Sequence, residues 1–213
     1  MKNYLTAKDS ATVARGVEAT TTENKYPEPL AQFVHRVESM RDYLEGASLA
    51  HGVARELGTL LGRKDWLLPE QREGWADRFR THVIHVAPDG GFSIVGVVWQ
   101  PGQTTPIHDH VSWCVVGVYE GKEEEIGYRL YEDAGERFLV EHEVEVAHPG
   151  VVTTLLPPEE DIHRVTNAGT GKAISIHVYG ADIGRLGSSI NHVFDDLPVL
   201  PDPGGARRVA WRP

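Results

Sequence analysis

The chain places two histidines one residue apart at the start of an apolar run, PIHDHVSWCVVG at positions 106–117. Its single cysteine, Cys114, follows four residues after the second histidine. Side chains of a β-strand alternate between two faces, so a continuous strand here predicts that His108, His110, Ser112 and Cys114 share one face. Imidazole nitrogens are good ligands for Fe, Zn, Cu and Ni. The spacing therefore predicts part of a metal site, with the cysteine facing it.

Two later stretches add polar residues in strand-like patterns. The first, PPEEDIHRVTN, contains His163 followed four positions later by Asn167. In the second, ISIHVYG, three polar side chains alternate with apolar ones and so share a face: Ser175, His177 and Tyr179. Polar groups that face a protein interior need hydrogen-bond partners, which favours a functional cluster over an ordinary buried strand.

The elements that position these residues are readable from the periodicity. From about residue 81 to Gly180, short runs rich in Val, Ile and Thr are separated by Gly/Pro turns, a pattern typical of a β-sandwich or small barrel. Before them, apolar residues recur at helical spacing, which predicts two or three amphipathic helices with a break at Gly46 and Gly52. Pro69 is a plausible helix start.

These patterns divide the chain into four parts. We expect a mobile N-terminal arm at 1–26, a helical extension packed on the barrel at 27–80, and a barrel that carries the metal site at 81–190. The segment 191–213 is too rich in proline for the interior of a sheet and is predicted to be an extended tail that wraps the outside.

Composition narrows the function classes. The 213 residues carry a formal charge of -10, and a protein that binds nucleic acid needs a concentrated basic surface. The longest apolar run, 92–99, is far shorter than the roughly 20 residues that span a bilayer, and the first residues lack the apolar region of a signal peptide. One cysteine cannot form an internal disulfide. We therefore expect a cytoplasmic protein that binds neither nucleic acid nor membrane, as a monomer or small homo-oligomer.

Together the histidine stretches resemble the two motifs of the cupin superfamily. The first motif combines a glycine, His-x-His, a glutamate and a second glycine; the chain matches it at Gly102, His108, His110 and Gly121 but has Cys114 in place of the glutamate. The second motif is matched by His163 and Asn167, although Glu160 replaces its usual glycine. The resemblance implies a mainly β fold, a cupin-type jelly-roll β-barrel, here with an N-terminal helical extension.

The cysteine and the Ser-x-His-x-Tyr strand resemble the cysteine dioxygenase-like branch, the thiol dioxygenases. This resemblance implies Fe(II) held by three histidines, His108, His110 and His163, with a small-molecule thiol and O2 as substrates and a sulfinate as product. In relatives the cysteine is joined to the tyrosine ring by a thioether, which implies the same role for Cys114 and Tyr179. Ser175 and His177 would then orient the phenol.

The residues alone leave other readings open. Three neutral histidines leave the charge of a divalent ion uncompensated and favour an anionic ligand such as a thiolate. The same set also suits a Zn or Ni hydrolase or isomerase, or a ligand-binding cupin without catalysis. Cys114 taken alone is more often a small buried hydrophobe. The thiol itself stays open: cysteine, 3-mercaptopropionate, or a larger thiol of the ergothioneine kind.

The substrate anchor is not given by either familiar pattern. In the cysteine-type members an arginine of an early strand holds the substrate carboxylate, and this chain has His82 at the corresponding position. The members that act on 3-mercaptopropionate use a different arginine, and this chain has Ser188 at that position. Arg80 and Arg185 lie nearby in sequence, and a guanidinium is a bidentate partner of a carboxylate. We expect Arg185 to take over this task, with His82 and Arg80 as further candidates.

Overall fold

The computed structural model describes residues 26–158, 161–201 and 207–208. The predicted mobile arm lies outside this part of the chain, apart from Tyr26. The described residues form two antiparallel β-sheets, with two helices packed on one of them. The predicted mainly β fold with N-terminal helices is confirmed.

Within the part of the chain that the structure describes, two long helices and a short 3-10 helix precede the strands, and a third α-helix follows the ninth strand. Helix α1 spans Glu28–Arg41 and α2 spans Gly46–Leu61, Pro69 begins a short 3-10 helix at Pro69–Arg72, and α3 is a single turn at Ile183–Leu186. The expectation that Gly52 marks a break is wrong, because it lies inside α2. A Cβ there would lie 2.8 Å from the Met40 sulfur, so the glycine lets α1 pack closely on α2. None of the described helices is long and apolar enough to cross a membrane.

The strands are numbered in chain order and divide between two sheets. The first sheet has the order β1-β2-β9-β4-β7 and is formed by Arg80–Val86, Ser93–Trp99, Ala173–Tyr179, Cys114–Glu120 and Val152–Leu155. The second has the order β10-β3-β8-β5-β11, formed by Ile190–Val193, His108–His110, His163–Asn167, Glu123–Asp133 and Arg207–Arg208. Strand β6, Glu136–Ala147, pairs with β5 outside that path.

Strand β9 is buried along its whole length, because the helices pack on one of its faces and the second sheet lies over the other. Its apolar side chains, Ile174, Ile176 and Val178, belong to the core formed with α1 and α2. Gly117 of β4 allows this packing, since a Cβ there would lie 2.5 Å from Leu61 of α2. The opposite face of β9 looks into the space between the two sheets, where Tyr179 packs with Val165 of the second sheet.

The predicted continuous strand through His108 and Cys114 is wrong. Strand β3 ends at His110 in the second sheet, β4 begins at Cys114 in the first, and residues 111–113 cross between them. Backbone hydrogen bonds fix this crossing: Val111 donates to Ser189 and Gly180 donates to Trp113. The histidines and the cysteine therefore meet because two sheets face each other, and not because side chains alternate along one strand.

The C-terminal tail contributes two short edge strands to the second sheet. Strand β10 pairs with β3, where Val193 lies opposite His108, and β11 pairs with β5. Between them, Leu139 and Val199 form an isolated parallel bridge. The described part of the tail thus lies at the edges of the second sheet and not in its interior, where its prolines would remove hydrogen bonds.

Candidate metal centre

Three histidines converge between the sheets. His108 of β3 lies directly opposite His163 of β8, and His110 lies two residues further along β3. Their ring centroids are 4.7 to 5.0 Å apart, and each is at most 4% exposed. One nitrogen from each ring lies within 4.8 Å of the other two, a separation that suits three ligands of a single ion.

Each of these rings is held by an acceptor at Nδ1. His108 Nδ1 donates to the carbonyl of Pro106 at 3.0 Å, His110 Nδ1 to Asp161 at 2.9 Å, and His163 Nδ1 to Glu125 at 2.7 Å. A carbonyl or carboxylate accepts only, so the ring proton lies on Nδ1. All three Nε2 atoms are left with a lone pair, the arrangement that orients histidine ligands in metalloproteins.

The electrostatics of the cluster also suit a metal. Burial, followed by the neighbouring histidines, holds the pKa of His108 well below its ordinary value, and burial lowers the pKa of His110 as well. Burial alone would raise the pKa of Glu125, but the proximity and hydrogen bond of His163 bring it below its ordinary value. Neutral imidazoles next to carboxylates fit a divalent ion of the Fe, Zn, Cu or Ni group.

Cys114 and Tyr179 form a pair beside the histidines. They lie opposite each other in the pairing of β4 with β9, and their side chains are in hydrogen-bond contact. The ring centroid of Tyr179 lies 6.0 Å from that of His110. Burial raises the pKa of the Cys114 thiol and of the Tyr179 phenol well above their ordinary values, so both keep their protons. The structure thus brings together the two residues that the resemblance pairs.

A chain of hydrogen bonds runs from Tyr179 along the inner face of β9. The Tyr179 hydroxyl lies 3.2 Å from His177 Nδ1, and His177 Nε2 lies 2.9 Å from Ser175 Oγ. The Trp99 indole donates to the same Ser175 oxygen at 3.1 Å. The buried carboxyl of Glu123 makes a side-chain hydrogen bond with Ser175 and ends the chain. Burial lowers the pKa of His177 to about 3, so its ring is neutral.

The structure turns two of the predicted substrate anchors, His82 and Arg80, away from this site. In the pairing of β1 with β2, His82 lies opposite Gly96 and Arg80 opposite Val98, on the face that the helices cover. His82 bonds to the carbonyl of Glu73, and Arg80 lies over the Trp75 ring. Arg185 is exposed on α3. Neither His82 nor Arg80 faces the histidines, because their strand register turns them to the opposite side of the sheet.

A cavity of about 270 Å³ lies next to His163, between β5, β6 and β7. Arg129 is the one arginine among the described residues that line it. Arg129 Nη2 donates to His142 Nε2 at 2.7 Å, and its buried Nε has no hydrogen-bond partner within the described part of the chain. Four carboxylates line the same cavity: Glu125, Glu143, Glu145 and Asp161.

Sequence reasoning missed the acidic residues of the site. A weak signal existed for Glu123 and Glu125, which alternate in the strand-like run EEEIGY and so share a face. Asp161 stands two residues before His163, which also allows a shared side of an extended segment. Nothing local indicated Trp99 or Arg129, whose roles depend on contacts with distant strands.

Comparison with known proteins agrees with this geometry. The model of the family described as cysteine dioxygenase type I matches residues 75–185, more than half of the chain. Among solved structures, an RmlC-like cupin protein from Desulfovibrio desulfuricans is 23% identical with a TM-score of 0.39, over 55% of this chain and 97% of that one. A Cupin 2 conserved barrel domain protein from Salinispora arenicola is 18% identical with a TM-score of 0.38, over 55% and 88%.

A recombinant oxalate oxidase in complex with glycolate is 19% identical with a TM-score of 0.33, and the match covers 43% of each chain. These three likenesses bear on neither substrate nor mechanism. The family match, in contrast, extends over β1 to β9, which carry the three histidines, Cys114 and Tyr179. The chain therefore belongs to the cysteine dioxygenase type I family and is a metal-dependent cupin.

Proposed function

We propose that the chain is a mononuclear iron thiol dioxygenase, which uses O2 to convert a small-molecule thiol into its sulfinate. The observation that carries this proposal is the hydrogen-bonded row of Cys114, Tyr179, His177 and Ser175 placed directly beside three buried histidines. Neither a hydrolytic Zn or Ni site nor a barrel that only binds a ligand requires such a row of hydrogen-bonded residues beside the metal.

His108, His110 and His163 would hold the iron through Nε2, since their Nδ1 atoms are occupied. When bound, Fe(II) supplies the redox chemistry of O2 and a positive charge that binds the substrate as a thiolate. Asp161 and Glu125 keep the rings in the ligating tautomer and orientation. The protein's part would thus be to supply three ring nitrogens to the ion and to hold them in place while substrate and O2 bind beside them.

Tyr179 supplies a proton donor at the edge of the site. Its phenol is buried, keeps its proton, and lies near His110. A hydroxyl in this place orients the bound substrate and O2 by hydrogen bonding. Cys114 lies close enough to Tyr179 to form the thioether implied by the family, and it is not needed as a ligand.

We infer that Arg129 anchors the substrate carboxylate. It lines the cavity that His163 also lines, and its unpartnered Nε is available to an anion. The carboxylates on the same walls suit a cationic group, so the cavity favours a zwitterionic thiol over a simple anionic one such as 3-mercaptopropionate. Arg185, exposed on α3, remains the alternative predicted from the sequence.

The proposal is tested by reconstituting the metal-free protein with Fe(II) under anaerobic conditions and then adding O2 with a thiol. Cysteine, 3-mercaptopropionate and a thiolated histidine betaine are compared, with oxygen uptake and sulfinate both measured. Serine and the Zn(II)-loaded protein are matched controls and should consume no oxygen. Stoichiometric iron binding without oxygen uptake for any thiol would refute the proposal, and hydrolytic activity of the Zn(II) form would support the alternative.

A further inference from the structure

Glu123 carries a buried carboxyl group that has no role in the proposed function. It begins β5, is 2% exposed, and makes a side-chain hydrogen bond with Ser175. Its Oε1 atom has no hydrogen-bond partner within the described residues. The residues paired with it across the sheet, Asn167 on β8 and Ala147 on β6, are uncharged. Burying an ionised carboxylate in this way costs free energy unless the group is paired with a positive charge or is protonated.

The hydrogen bonds at Ser175 can be counted. An indole N–H only donates, so Trp99 occupies one of the two lone pairs of Ser175 Oγ. The remaining lone pair and the single hydroxyl proton must serve His177 Nε2 and Glu123. Ser175 therefore donates to one of these two groups and accepts from the other.

Two arrangements satisfy this count. If Glu123 is protonated, its proton lies on the oxygen that faces Ser175, because a proton on Oε1 would find no acceptor within the described residues. Glu123 then donates to Ser175 and Ser175 donates to His177 Nε2, so the His177 proton lies on Nδ1 and points at the Tyr179 oxygen. If Glu123 is ionised, Ser175 donates to Glu123 and His177 donates from Nε2 to Ser175. His177 Nδ1 then accepts a hydrogen bond from the Tyr179 hydroxyl. The two arrangements differ by the one proton that Glu123 releases to solvent.

We propose that Glu123 is a positioning residue, which selects the tautomer of His177 and through it the direction of the Tyr179 hydroxyl proton. The catalytic meaning of this selection rests on the proposed function. With Glu123 ionised, the Tyr179 hydroxyl donates to His177. With Glu123 protonated, His177 no longer accepts that proton, so it can point at a substrate or at Cys114 and Ser189, the other hydrogen-bond neighbours of the hydroxyl. The neutral carboxyl is thus the state that prepares the site.

The surroundings of Glu123 favour this state at neutral pH. Burial raises its pKa to about 8; the hydrogen bond of Ser175 opposes this rise and the neighbouring charge of Glu125 adds to it. At pH 7 the protonated form then exceeds the ionised form about ten to one. His177 is neutral throughout this range, so it carries a single ring proton whose position Glu123 can decide.

The test measures the His177 tautomer by ¹⁵N NMR in metal-free protein labelled at histidine, between pH 6.5 and 9.5, with His177→Gln used for assignment. We expect Nδ1–H at pH 7, in about ten to one excess, and a change to Nε2–H with a midpoint near pH 8. Glu123→Gln should keep Nδ1–H at every pH, because its amide donates to Ser175 as the acid does. The matched control Glu124→Gln, on the opposite face of β5, should titrate as the wild type.

An Nε2–H tautomer at pH 7, or a tautomer that is constant over this range in the wild type, would overturn the inference. So would a Glu123→Gln protein that titrates like the wild type. If Glu123→Gln does not fold, the wild-type titration decides alone, and Ser175→Ala should abolish its pH dependence. Since the protein is metal-free, this result is independent of turnover: failure of thiol oxidation would refute only the proposed function.

Discussion

Replacing Asp161 by asparagine should weaken metal binding, because both oxygens of this carboxylate accept hydrogen bonds from His110. Its two oxygens accept from His110 twice, once from the backbone N–H and once from Nδ1, both at 2.9 Å. An asparagine offers one acceptor and one donor to these two donors. Either its NH2 group faces the backbone N–H, or it faces Nδ1 and drives the His110 proton onto Nε2, the atom that must bind the metal.

The magnitude follows from the role of Asp161 as the group that orients a ligand. Loss of such a partner typically lowers metal affinity about 10- to 100-fold, which corresponds to roughly 1.4–2.7 kcal/mol. The metal-free protein should also lose about 1–3 kcal/mol of unfolding free energy, since one buried donor stays unpaired. Anaerobic competition titration against a chromophoric chelator measures Kd for Fe(II) and Zn(II), and urea unfolding measures the stability.

Asp109 provides a matched control. It is also buried, and it also accepts from a backbone N–H and an Nδ1 of one histidine, His192, which lies outside the ligand set. Asp109→Asn should cost similar stability while changing metal affinity much less. Equal metal affinity in the Asp161 and Asp109 variants, within about twofold, would refute the reasoning.

Three further predictions test other parts of the site. In active preparations, mass spectrometry should find a fraction of the protein that lacks two hydrogens, with the peptides around residues 114 and 179 joined. Cys114→Ala should abolish this fraction yet bind iron normally. If this variant lost its iron, Cys114 would be a direct metal ligand instead. Arg129→Ala should lower kcat/KM for a carboxylate-bearing thiol by about 10- to 100-fold, whereas Arg185→Ala should leave it nearly unchanged. If Arg185→Ala caused the larger loss instead, Arg185 would be the anchor. Because Glu123 holds its proton up to about pH 8 in the folded state, while the unfolded chain releases it near 4.3, stability should fall as the pH rises through this window, by up to about 1.4 kcal/mol per unit. Chemical unfolding at several pH values should show a flatter profile for Glu123→Gln, and an unchanged profile would contradict the raised pKa.

Much of the site was readable from the sequence because it depends on short spacings. The His-x-His pair and His163 lie in stretches whose turns and polar residues are local, and alternation along β9 put Ser175, His177 and Tyr179 on one face, as found. The division between helical and β segments followed from periodicity, which burial of one face imposes on each element separately.

Only the tertiary structure decided which distant groups meet. The crossing at 111–113 places His110 and Cys114 in different sheets, so their proximity to Tyr179 comes from two sheets facing each other. The register of β1 turns Arg80 and His82 toward the helices, and a one-residue shift would have turned them inward. Asp161, Glu125 and Glu123 reach their partners across strand pairs. Such contacts are set by register and by the packing of one sheet on another, and neither leaves a periodic signal within a single segment.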